Sequence, residues 1–253
     1  MTARSDSPRL PAEKAARPRW WSIPVALVAL SAFPVAAGVV RLVGLGTGVA
    51  ATPDNARFFA APVPVVLHIL GVTLFSLLGA FQFSAEVHRR WPRWHRVAGR
   101  VVLIGGLVAG LSGLWMAAFY PLPPALQGSL LFGVRMVVGT AMVGCLVLAF
   151  ITVRRGDIAG HSAWMIRAYA LGMGAGTQPL LMFPWALAFG APTDLAYEIV
   201  MTAAWVLNLA VAEVIVRRPA SSGAKSIRSS AARGAPAGSP GARLFATGGD
   251  CHE

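Results

Sequence analysis

The stretch LFGVRMVVGTAMVGCLVLAFITV, Leu131–Val153, decides the fold. Its 23 residues carry a single charge, Arg135. At about 1.5 Å of rise per residue, such a run matches the roughly 30 Å hydrocarbon core of a bilayer. Five further blocks of similar length lie around it: Trp20–Val43, Pro62–Phe83, Val97–Phe119, Ala163–Phe189 and Leu195–Val216. Of the 253 residues 56% are hydrophobic and 13% charged, where a soluble domain is about a quarter charged. These proportions exclude a soluble enzyme, a disulfide scaffold and a disordered chain. The expected fold is all-α: a polytopic integral membrane protein built as a bundle of six transmembrane helices over residues 20–216.

Both ends of the chain have a different composition. Residues 1–19 hold five Lys or Arg among several prolines, and residues 217–253 are almost wholly Ser, Ala, Gly, Pro and Arg. Both read as disordered basic tails. Ala36-Ala37-Gly38 loosely resembles a secretory cleavage site, but the apolar run continues past it through Leu42, which favours an uncleaved first span. The two cysteines, Cys145 inside a span and Cys251 near the end, are too dissimilar in setting to suggest a bridge. A net charge of +12 would suggest nucleic acid in a soluble protein; in a membrane protein it is first a topology signal, and no nucleic-acid partner is expected.

With six spans, 19 of the 22 positive residues fall on one side of the membrane. They occupy the two tails, the loop Arg89–Arg100, and Arg154, Arg155 and Arg167. Arg41 and Arg57 lie on the other side with Asp54, Asp194 and Glu198. The positive-inside bias then places both termini in the cytoplasm and the protein in a bacterial inner membrane.

Ionisable groups at membrane depth are costly and therefore informative. His68 lies six residues inside the second span, above a stripe of Gly71, Phe75, Gly79 and Gln82 that should face the bundle interior. Arg135 matches it in depth, so the two are expected to share a small polar cavity. Two other histidines open spans at the cytoplasmic end, His95 in His95-Arg96-Val97-Ala98-Gly99-Arg100 and His161 in His161-Ser-Ala-Trp164-Met165-Ile-Arg167. Imidazoles at equal depth on separate helices suit the axial positions of one b-type haem. Arg96, Arg100 and Arg167 would then meet its propionates, and Gly99, Gly106 and Gly172 would make room for the ring. The plainer reading is that His68 ties two helices together, and that the Arg and Trp residues bind anionic lipid headgroups. Small residues otherwise signal close helix packing, and Pro179 and Pro184 are expected to kink the fifth span. Glu213 lies close enough to the interface to reach it. No nucleotide loop, hydrolase elbow or paired metal-ligand motif occurs, so no metal site is expected.

The combination of His68, Gln82-Phe83, the His95-Arg96…Arg100 motif and His161-x-x-Trp164-Met165-x-Arg167-x-Tyr169 resembles the bacterial predicted-membrane-protein family called domain of unknown function 2306. The resemblance covers residues 62–216. It implies a helical membrane fold and no particular activity. Many members carry an arginine late in the fifth span, where this chain has Gln178-Pro179. A looser likeness is to six-helix cytochromes with two haems, which would use His68 at the outer level, with Met136 as a second ligand. Three functions follow as expectations: a membrane protein binding lipid or a small anion through its His/Arg clusters, a haem electron carrier or quinone-linked oxidoreductase using His95 and His161, and a small-solute permease lined by His68 and Arg135.

Overall fold

The computed structural model describes residues 21–122 and 128–218. All regular structure among them is helical: α1 (Ser22–Thr47), α2 (Ala56–Ala60), α3 (Pro62–Gln82), α4 (Ala85–Arg90), α5 (Pro92–Phe119), α6 (Ser129–Arg154), α7 (Ile158–Gly172), α8 (Gly174–Phe189) and α9 (Asp194–Arg217). The described residues up to Val216 belong to one compact unit. The disorder expected of residues 1–19 and 217–253 falls almost entirely outside the described residues; Arg217 itself closes α9.

Five helices, α1, α3, α5, α6 and α9, are long and apolar enough to cross a membrane. Large apolar side chains cover their outer faces, among them Phe33, Val40 and Val137, each about two-thirds exposed. That is a surface made for lipid rather than water. The protein is an all-helical membrane protein.

The block read as a fifth span over Ala163–Phe189 is not one helix. It divides at Met173 into α7 and α8, of 15 and 16 residues, each too short to qualify as a span alone. Pro179 and Pro184 lie inside α8, which continues through both, so the interruption falls upstream of them. It lies instead between Gly172 and Gly174. There Asn208 of α9 donates from Nδ2 to the Ala170 carbonyl (3.1 Å) and accepts from the Thr177 hydroxyl (2.9 Å). The first bond serves a backbone carbonyl where a broken helix leaves its terminal groups unpaired, and the second ties the Thr177 side chain of α8 to α9. Trp205 seals the gap: a Cβ on Gly174 would fall onto its indole ring.

Other boundaries moved less. The loop expected over Gly44–Ala60 contains α2, and α1 runs on to a left-handed cap at Gly48 (φ 66°). The third span begins at Pro92 rather than Val97, because proline suits the first helical position and turns Arg93–Arg96 into helix. Ser84 caps α4 by accepting from the Val87 N–H.

Contacts sort the helix ends into two layers. At one end the Tyr120 hydroxyl beyond α5 donates to the Ala61 carbonyl before α3 (2.6 Å), and Glu198 of α9 meets the start of α6. At the other, His161 of α7 meets the Ala149 carbonyl near the end of α6, and Arg167 meets Glu213 near the end of α9. Between them α3 and α5 approach so closely that a Cβ on Gly71 would strike the Gly105 carbonyl oxygen at 2.7 Å. The core there is Phe75, Val102, Met142, Leu146 and Tyr169, with the Tyr169 hydroxyl donating to the Ser76 carbonyl.

Candidate functional site

A cavity of about 360 Å³ opens between α3, α5, α6, α7, α8 and α9. His68 comes from α3 and Arg135 from α6, and the structure brings both to its wall. The positions one and two turns beyond Arg135, Val138, Gly139 and Met142, line the same wall, as helical spacing requires. Met136, about 100° further round α6, is not among the described wall residues, so this cavity does not join it to His68. Gly172 and Ala175 place the interruption between α7 and α8 in the wall as well. Phe58, Tyr120 and Leu122 lie toward the helix ends, and most of the remaining lining is apolar.

His68 is held in one orientation. Its Nδ1 lies 2.9 Å from the Ala109 carbonyl, which can only accept; Nδ1 is therefore the protonated nitrogen and Nε2 keeps the lone pair. Gly113 lets the ring pack against α5, since a Cβ there would come within 3.1 Å of Cε1. The stripe below His68 faces inward: Phe75 is buried, Gly71 meets α5, and Gly79 meets the Tyr169 ring.

Arg135 lies within electrostatic reach of Glu198 and Tyr197 on α9. Glu198 is a buried acid, 7% exposed, whose carboxylate accepts from the Leu131 N–H at 3.3 Å. It sits against Gly128, where any side chain would overlap it. A carboxylate from α9 thus caps the amino end of α6, where the helix dipole favours negative charge. Sequence reasoning left this residue in the external loop set. The signal available was an acid one full turn beyond Asp194, inside an apolar run.

The other end of the bundle gathers His88, His95 and His161. The His88 and His95 rings lie 4.4 Å apart and tilted by 35°, and His161 is near enough to act on His95 electrostatically. His161 donates from Nδ1 to the Ala149 carbonyl (2.9 Å), leaving Nε2 with the lone pair. Two buried polar atoms here have no hydrogen-bond partner, His95 Nδ1 and Gln82 Nε2. Arg96 and Arg100 are exposed. Arg167 is committed to a partner: its guanidinium makes two bonds to the Glu213 carboxylate, at 2.5 and 3.2 Å, and lies 4.8 Å over the Trp164 ring. Glu213 is thus an interhelical ion-pair partner, where the sequence suggested only a side chain reaching for the interface. Two of the three glycines expected to admit a porphyrin admit Phe75 instead: a Cβ on Gly106 or on Gly172 would meet its ring at 2.7 Å, while Gly99 faces the Gln82 Oε1.

Residues 65–216 match the DUF2306 family, described as predicted membrane proteins. The chain belongs to this family. The matched segment begins at Val65 in α3 and ends within α9, so it contains both histidine clusters, Arg135, Glu198 and the interrupted helix, while α1 and α2 lie before it. No curated protein and no solved structure matches the chain.

Proposed function

We propose that the cavity between His68 and Arg135 binds a small amphiphile whose head offers an acceptor, anionic or neutral, to Arg135 and a hydrogen-bond donor such as a hydroxyl to the His68 Nε2. The observation that carries this is the cavity's composition: an imidazole and a guanidinium face one apolar chamber beside an interrupted helix. Polar groups at membrane depth and broken helices are both costly, and both mark ligand sites in membrane proteins. An apolar groove of about 500 Å³ runs between α6 and α9, and Val138, Leu171 and Trp205 belong to the walls of both spaces. A head held by Arg135 and His68 would leave an apolar tail free to lie in that groove. A permease for small solutes is the same site with passage added.

In this reading α7 and α8 together complete a sixth crossing, both termini are cytoplasmic, and the membrane is a bacterial inner membrane. The alternation of helix ends and the charge partition support it.

The test is native mass spectrometry of protein extracted in a polymer nanodisc, without detergent exchange. The expected result is a co-purifying amphiphile retained by the wild type and lost in Arg135→Gln. Identical lipid content in the two proteins, both folded, contradicts the reading.

A second reading rests on His161, whose Nδ1–carbonyl bond is the support an axial haem ligand commonly has. Here His95 and His161 would hold a b-type haem at the cytoplasmic end. The stacking of His88 on His95 and the filling of Gly106 and Gly172 by Phe75 weigh against room for the ring. Reduced-minus-oxidised spectra of protein from haem-replete cells decide it: a b-type band lost in His161→Ala supports haem, and no band removes it.

A further inference from the structure

Two arginines on the segment before the matched region have no role in the cavity's proposed chemistry. Arg57 in α2 is a buried cation, only 9% exposed, and its Nε and Nη1 atoms have no hydrogen-bond partner. Its guanidinium carbon lies 4.5 Å from the centroid of the Phe58 ring, and that of Arg41, from the last part of α1, lies 4.3 Å from the same centroid. Two like charges are therefore gathered on one aromatic ring. The ring attracts both cations but neutralises neither. Among the described residues no carboxylate lies within ion-pair distance of either arginine, although Asp54 acts on Arg57 from further away. Burial first, and then the Arg41 charge, pull the Arg57 pKa below its ordinary value, with Asp54 and Tyr120 opposing them only in part. Arginine pairs of this kind are compensated best by an oxyanion, whose several acceptors match the planar donor fork.

We propose that Arg41 and Arg57 form a binding site for a phosphoryl oxyanion, with Phe58 as its floor. Phe58 also lines the His68/Arg135 cavity, and Tyr120 meets it edge-on at 5.6 Å, so the site stands at the cavity's end. The anion bridges α1 and α2 and supplies the counter-charge that no described carboxylate gives at ion-pair distance. Its phosphoryl group belongs either to a lipid headgroup at the membrane surface or to a free phosphate; the chemistry is the same.

The experiment is thermal unfolding of the full chain in detergent. Sodium phosphate and short-chain phosphatidylglycerol are titrated separately against sodium chloride of equal ionic strength. The wild type is expected to gain a saturable upward shift in midpoint. A response to phosphatidylglycerol alone assigns the headgroup; a response to both shows that phosphate alone suffices. In Arg41→Gln the apparent affinity should fall about tenfold or more, as expected for losing one charge-assisted contact. Arg57→Met should lose the shift, and in chloride alone should melt at or above the wild type, because it removes an uncompensated charge. Arg135→Gln should keep the shift, which separates this site from the cavity. No shift in the wild type overturns the proposal, and so does an apparent affinity that is unchanged in Arg41→Gln. A lowered midpoint in Asp54→Asn, with no anion response in the wild type, would show that Asp54 is the internal counter-charge instead.

Discussion

Glu198 shows how a single residue fixes more than its own helix. Its carboxylate takes the Leu131 N–H, occupies the space that Gly128 leaves, and lies within reach of Arg135. Replacing it with Ala removes an interhelical cap, and the expected loss is about 1–2 kcal/mol in detergent unfolding. Glu198→Gln keeps an acceptor and should recover part of that loss. Equal midpoints for wild type and Glu198→Ala would show that the cap contributes nothing. His68 and Arg135 were legible as residues because charge at membrane depth is rare. Glu198 and Asn208 were not, because their partners, the Leu131 N–H, the Ala170 carbonyl and the Thr177 hydroxyl, lie on other helices and leave no periodic trace in sequence. Arg57 was read only as a topology charge; its burial depends on where a five-residue helix packs.

The element that departs most from expectation is the interrupted helix. A continuous apolar run predicted one span, and the run is there, but Met173 divides it. Hydropathy reports length and not continuity, since the residues at the break, Gly172 and Gly174, are near neutral in hydropathy and leave the run's average apolar. The break depends on α9: Trp205 packs on Gly174, and Asn208 bonds to Ala170 and Thr177. Gly174→Ala forces a methyl into a rigid indole and is expected to cost about 1–3 kcal/mol. In a Trp205→Leu background the same change should cost much less, and a double-mutant cycle in unfolding free energy measures the difference. Strictly additive effects would place Trp205 elsewhere. The α3–α5 pair was the opposite case. Its inward stripe from His68 to Gln82 follows helical period, and the structure packs that stripe inside.

At the scale of the molecule, the order of apolar blocks and the charge partition foretold an all-helical membrane protein, and the family match agrees. In the proposed topology α7 and α8 together make one crossing. Reporter fusions after Asp157 and within Gly190–Thr193 should report opposite sides, cytoplasmic and external. The same side for both would mean that α7 and α8 enter and leave by one face. Sequence foresaw a small polar cavity between His68 and Arg135; what it withheld is the chamber's extent and its mostly apolar lining, because these are properties of six helices at once. The chamber's existence, and the external access that the proposed function implies, are tested most directly by thiol labelling of Ala117→Cys, a buried wall position, with Cys145 and Cys251 replaced by Ser. A small membrane-impermeant thiosulfonate applied to spheroplasts should modify it, and should fail to do so from the inner face of inverted vesicles. A thiol that reacts only after unfolding, or only from the inner face, would contradict the chamber as described.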